Sequence, residues 1–234
     1  MRTFAKALVA ASILSASAST AMANEVIVRI ENITSSITFT PLLAVAHRRS
    51  LDLFDLGQPA SVNIQAMAEG GAIAGAQAQS DSEGSATDAA GGLLPAGDSI
   101  VLRLDTTTAQ RFLSVVGMLL PTNDGFVGLD TYPIPPVGSR AVVFARAYDA
   151  GTEANDEIIN GGGASGVPGI PADPSGNGGT GGTGVGGGVL PESSDIHVHR
   201  GIVGDLNPAG GISDLHTGIH GWDGPVARIT IIHR

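Results

Sequence analysis

The sequence predicts an all-β protein, an antiparallel β-sandwich carrying a glycine-rich insertion loop. Three observations predict it. Short stretches alternate apolar and polar residues, Gly, Pro and Asp turns separate them, and no helical period is sustained. Residues 1–23 stand apart from this pattern. Arg2 and Lys6 precede the apolar run Ala7 to Leu14, and Ala21-Met22-Ala23 follows it. That is the plan of a secretory signal peptide cleaved near Ala23. The run is too short for a membrane span, which takes about 20 residues, and no later stretch is both longer and apolar, so no span is expected. A single domain over residues 24–234 is expected to follow.

The strands are read in order. In Glu25 to Ile33, Val26, Val28 and Ile30 alternate with Ile27, Arg29 and Glu31, and the β-branching suits a pleated surface. Ile37 to Ala46 is extended, with Pro41 marking an edge or a bulge. Leu51 to Leu56 predicts a short helical turn closed by Gly57, Val62 to Glu69 reads either way, and Gly70 to Gly92 reads as a long loop of small and polar residues with room for a helical turn. Strands return at Ser99 to Leu104, Phe112 to Leu120, Ala141 to Tyr148 and Val226 to His233. Half of residues 161–188 are glycine. Such a segment has few side chains to bury against its ordering entropy, so a flexible excursion is expected there, removable without loss of the fold. Removing residues 191–234 should instead unfold the protein, since the last strand goes with them.

Charge narrows the partners. The chain has 12 basic and 22 acidic residues; Arg2 and Lys6 lie within residues 1–23, leaving 10 against 22 and no lysine. That surface repels phosphate polymers, so nucleic acid is not an expected partner, and it attracts cations. Cysteine is absent, which excludes thiolate metal ligands and thiol nucleophiles. Export permits disulfides without requiring them.

Two acidic segments follow predicted strands: the loop Leu120 to Asp130, and Tyr148 to Glu157. Asp149 and Glu153 lie four apart around Gly151, where a curled backbone brings both carboxylates together, and Asp124 is a third candidate. Calcium takes six to eight oxygen ligands from such groups. Asp and Asn also favour turns for local reasons, and spacing alone leaves the two readings open.

The two segments stand in this chain as Pro121-Thr122-Asn123-Asp124-Gly125-Phe126-Val127-Gly128 and Asp149-Ala150-Gly151-Thr152-Glu153. In that order they resemble the spondin domain, and His47 to Gly71 is similar to its bacterial, single-domain exported form. The resemblance implies a spondin-type β-sandwich holding one calcium ion at Asp124, Asp149 and Glu153. It also implies a non-enzymatic role in extracellular recognition or adhesion, with an extracellular protein or glycan as partner. The setting is secreted, periplasmic or at the cell surface. The chain departs from the animal members in having Glu at 153 where Asp is usual, and in lacking their cysteines and thrombospondin repeats.

A rival reading rests on histidine. His197 and His199 share a face if their segment is a strand, and His216 and His220 align if theirs is a helix, although Gly218 argues against one. Four imidazoles together would suit zinc or copper, as a metal-binding protein or metalloenzyme. Gly-x-Ser-x-Gly, His-Glu-x-x-His and phosphate-loop signatures are all absent.

Overall fold

The computed structural model describes residues 24–176, 178–186 and 193–234. The signal-peptide reading of residues 1–23 lies outside them, as does the portion of the glycine-rich segment at 177 and 187–188. The described chain is almost entirely antiparallel sheet, as its sequence predicts. Its strands are β1 (Asn24–Asn32), β2 (Thr38–Phe39), β3 (Leu43–His47), β4 (Ala86–Ala89), β5 (Ser99–Thr106), β6 (Phe112–Leu120), β7 (Gly125–Pro133), β8 (Arg140–Asp149), β9 (His197–Val198) and β10 (Ala227–His233). Three helices accompany them: α1 (Val62–Gly70), α2 (Ala74–Ser82) and α3 (Thr217–His220).

Neighbouring strands run β4-β3-β6-β7-β8-β10-β1-β5, with β2 added to β6 and β9 to β8. The path curls into a nearly closed sandwich. Its two ends meet where Asp88 of β4 accepts the Arg103 amide of β5 at 2.7 Å. β8 serves both halves: Arg140 to Ala145 pair with β10, and Arg146 to Asp149 pair with β7.

Alternation explains the first half. Val26, Val28 and Ile30 of β1, Leu102 and Leu104 of β5 and Ile229 and Ile231 of β10 point inward and are buried, while the residues between them face out. The second half is buried on both faces. Inward it shares the same core through Leu113, Val115, Leu119 and Val127. Outward, Leu43, Val45, Val116 and Phe126 pack against Phe54 and against Ile64 and Met67 of α1. That two-sided burial is why Phe112 to Leu120 reads as a continuous apolar run.

Four local readings change. The loop expected over Leu120 to Asp130 ends at Asp124, and Gly125 onward is β7, fully buried as far as Leu129. The ambiguous Val62 to Glu69 is α1, capped by Ser61, whose hydroxyl accepts the Ile64 amide at 3.2 Å. Leu51 to Leu56 forms no helix. Part of the expected polar loop 70–92 is α2 and β4, and β4 pairs with β3. Pro41 does mark a break between β2 and β3, where the Thr40 hydroxyl accepts the Met118 amide at 3.0 Å.

The glycine-rich segment also differs from a free excursion where it is described. Ile170 is fully buried, and its amide donates to Ile158 O at 2.8 Å. Asp214 Oδ1 accepts the amides of Thr180, Gly181 and Gly182 at 2.8, 3.0 and 2.9 Å, and Oδ2 accepts that of Ile159 at 2.8 Å. Glu69, fully buried at the end of α1, accepts the Gly166 amide. The side chains of His220 and Asp173 are both buried, with Nε2 and Oδ2 3.3 Å apart. Glycine composition predicts looseness because it counts the segment's own side chains. Here carboxylates from elsewhere in the chain collect its backbone N–H groups.

Candidate functional site

The two acidic motifs meet because their strands pair. Gly125 opens β7 directly across from Asp149, which ends β8. Asp124 therefore lies beside Ala150, whose amide donates to Asp124 O at 3.2 Å. Asn123 ties the first turn to the second loop: its Nδ2 donates to Asp156 Oδ1 at 2.8 Å, and its Oδ1 accepts the Glu157 amide at 3.2 Å.

The motifs' glycines answer to space. A Cβ on Gly128 would stand 2.7 Å from both the Phe54 and Tyr148 rings, which with Phe126 form one aromatic cluster, centroids 5.1 to 5.6 Å apart. Gly151 combines φ +68° with backbone atoms of Ser193 and Ser194 at 2.7 Å from any Cβ. Gly128→Ala is expected to cost about 1–3 kcal/mol by overpacking. A denaturant midpoint unchanged from wild type would contradict that account of the motif.

Asp124 is fully buried, and its two oxygens are treated differently. Oδ2 accepts the Thr152 amide at 2.7 Å, the Glu153 amide at 3.0 Å and the Thr152 hydroxyl at 3.2 Å. Oδ1 is buried with no hydrogen-bond partner. Burial, and then the charge of Asp149, push the Asp124 carboxyl up to about 7, and the loop amides only partly oppose them. Asp149 is itself buried: Oδ1 accepts the Gly151 amide at 2.8 Å, and Oδ2 accepts from Asn155 Nδ2 at 2.7 Å.

Glu153 reaches the site through its backbone; its carboxylate turns to the glycine-rich segment. Oε2 accepts the Gly169 amide at 2.9 Å. Burial raises its pKa and the charges of Glu69 and Asp156 add to the rise, while the Gly169 amide and the Asn123 side chain oppose it. Of the three predicted ligands, the structure thus joins Asp124 and Asp149 and gives Glu153 a different neighbourhood. Among the described residues, no three His, Asp or Glu side chains converge as a ready metal cluster.

The histidines form two pairs with different neighbours. His197 and His199 share a side of the strand, as alternation requires, and that side is Asp149's. His197 Nε2 lies 3.7 Å from Asp149 Oδ2. His199 is buried against Trp222, ring centroids 5.0 Å apart, and burial holds its pKa down to about 4. His216 caps α3, and its amide donates to His220 Nδ1 at 3.0 Å, so the second pair aligns despite Gly218. The second pair faces Asp173 and Asp205. Sequence reasoning singled out His197 and His199 for each other and missed that both attend Asp149. The register that places them there comes from β9 joining β8.

An unpartnered, buried carboxylate oxygen beside a second carboxylate is the chemical state a cation relieves. Asp124 and Asp149 fit a hard, oxygen-seeking ion such as calcium. A family model, Spondin_N, matches residues 31–155, slightly more than half of the chain, and both acidic motifs fall within it. A comparison with curated proteins finds no match.

Proposed function

We propose a function from one premise: the chain belongs to the Spondin_N family. It is a spondin-like extracellular module, secreted or held at the cell surface, that binds calcium and serves recognition or adhesion. The observation that carries the calcium reading is the buried, unpartnered Asp124 Oδ1 next to Asp149. Asp124 and Asp149 hold the ion. Glu153 joins them by releasing the Gly169 amide, its own amide already being fixed to Asp124. Bound calcium supplies the positive charge that lets the buried Asp124 carboxyl stay ionised at neutral pH. It also locks the turn after β6 to the loop after β8. The role is structural support of a binding surface, and no catalytic step is assigned.

No helix of the described chain is long and apolar enough to cross a membrane. The test is thermal melting in chelator, then with calcium returned. A ligand confined to the folded state adds about 2.7 kcal/mol at a hundredfold excess over its Kd. Superimposable curves with and without calcium would sink the reading. Glu153→Gln should weaken calcium binding less than Asp124→Asn if Glu153 joins late; equal losses would make it a full ligand from the start.

A further inference from the structure

The two halves of the sheet differ in what lies over their outer faces. α1, α2 and the Phe54 loop cover β3, β6 and β7. Among the described residues, no helix lies over β5, β1 or β10 as α1 and α2 lie over β3 and β6, but the outer face of β8 is covered at its end, where Tyr148 meets Phe54. The bare part of this face is also the chain's basic region. Arg29, Arg103, Arg140 and Arg228 all stand on it, four of the ten arginines in residues 24–234, opposed there by Glu25, Glu31 and Asp105. The rest of the chain is strongly acidic, so this concentration of positive charge is a local property of one surface.

The guanidinium groups are available. Arg29 and Arg228 share the single carboxylate of Glu31, Arg103 pairs with Glu25 at 2.7 Å, and the three arginine side chains are about half exposed. Exposed pairs of this kind exchange readily with an incoming anion. Arg140 has no ion pair among the described residues. Apolar groups lie between the charges: Phe144 is 56 % exposed beside Arg228, and Val142 and Val101 are each 46 % exposed on either side of Thr230 and Arg29.

We propose that this face binds an anionic polysaccharide, one carrying carboxylate or sulfate groups along its length. Arginine forks match both groups bidentately, and the Phe144 ring with the valines offers a floor to the apolar faces of sugar rings. The proposal rests on the extracellular recognition reading and names the partner's chemistry; it does not depend on calcium.

The test titrates the purified protein with labelled heparin oligosaccharides (sulfate), oligogalacturonate (carboxylate), neutral dextran and poly-L-glutamate, in chelator and in calcium. At least one anionic glycan should bind, dextran should not, and binding should weaken as salt is raised. Arg140→Gln with Arg228→Gln should lose at least about tenfold in affinity at an unchanged melting temperature. Arg140→Gln alone, which breaks no ion pair, serves if the double variant melts early. Binding that survives chelator and Asp124→Asn separates this face from the calcium site, whose failure would leave the glycan result standing. The proposal is overturned if neither glycan binds, if the arginine variants bind as wild type does, or if poly-L-glutamate binds as tightly as the glycans.

Discussion

Asp214→Ala should lower the melting temperature by roughly 6–12 °C. The substitution strips the acceptor from four backbone N–H groups, those of Ile159, Thr180, Gly181 and Gly182. A fully buried donor left unpaired costs about 1–3 kcal/mol, and these four, being only part-buried, cost less each because water reaches some of them. Taking about 3 kcal/mol in total, at about 2–4 °C per kcal/mol for a chain of this size, gives the stated range. Burial works to raise the Asp214 pKa, yet these amides together hold it below the usual carboxylate range. A depressed carboxyl contributes stability above its unfolded pKa and loses it as pH falls through the folded value. The Ala variant should accordingly lose part of the acid sensitivity of the wild type. A variant melting within about 2 °C of wild type would mean that residues 161–188 do behave as the loose excursion their composition suggests.

At Asp124 the sign reverses. Its folded pKa is raised to about 7, so between the ordinary carboxyl range and about 7 the folded state holds a proton that the unfolded state has lost. Asp124's own contribution to stability without calcium therefore falls as pH rises through that window, while buried His199, its pKa held down to about 4, contributes in the opposite direction. Calcium should restore most at pH 8, where Asp124 is ionised, and little at pH 5, where a proton occupies the carboxyl. Asp124→Asn should stabilise the calcium-free protein at pH 8 by about 1–3 kcal/mol, because it removes a buried charge next to Asp149. The same variant should abolish the response to calcium. Melting curves at pH 5 and pH 8, with chelator and with calcium, check both arms. An Asp124→Asn variant whose gain over the chelated wild type is no larger at pH 8 than at pH 5 would refute the account.

How much of this was legible in the sequence depended on where each residue's partner lies. β1, β5 and β10 were readable because one face of each is bare, which keeps the alternation visible. β7 was not, because Gly125 to Leu129 is buried on both sides and its glycines look like turn residues. α2 was hidden for the opposite reason: Ala76 and Ser80 are its buried residues, and they make no apolar stripe. Asp124 and Asp149 were legible through the motifs around them. The direction of the Glu153 carboxylate was not, since it is fixed by Gly169 in a segment whose own residues announce nothing. The ties to Glu69 and Asp214 span 97 and about 33 residues, separations that no local pattern encodes.

The position of β10 bears on how the chain comes together in time. It follows every other strand in the sequence, yet it lies between β8 and β1 rather than at an edge, joining Ile30 to Ile229 across almost the whole length of the chain. Until it has emerged, β1 and β8 each lack a neighbour and the inner core stands open. A growing chain can therefore pair its middle strands early but has no way to seal the sandwich, and such distant pairing is slow even in the finished chain. A sandwich that closes only when β10 arrives stays pliable for as long as the strands before it are being made.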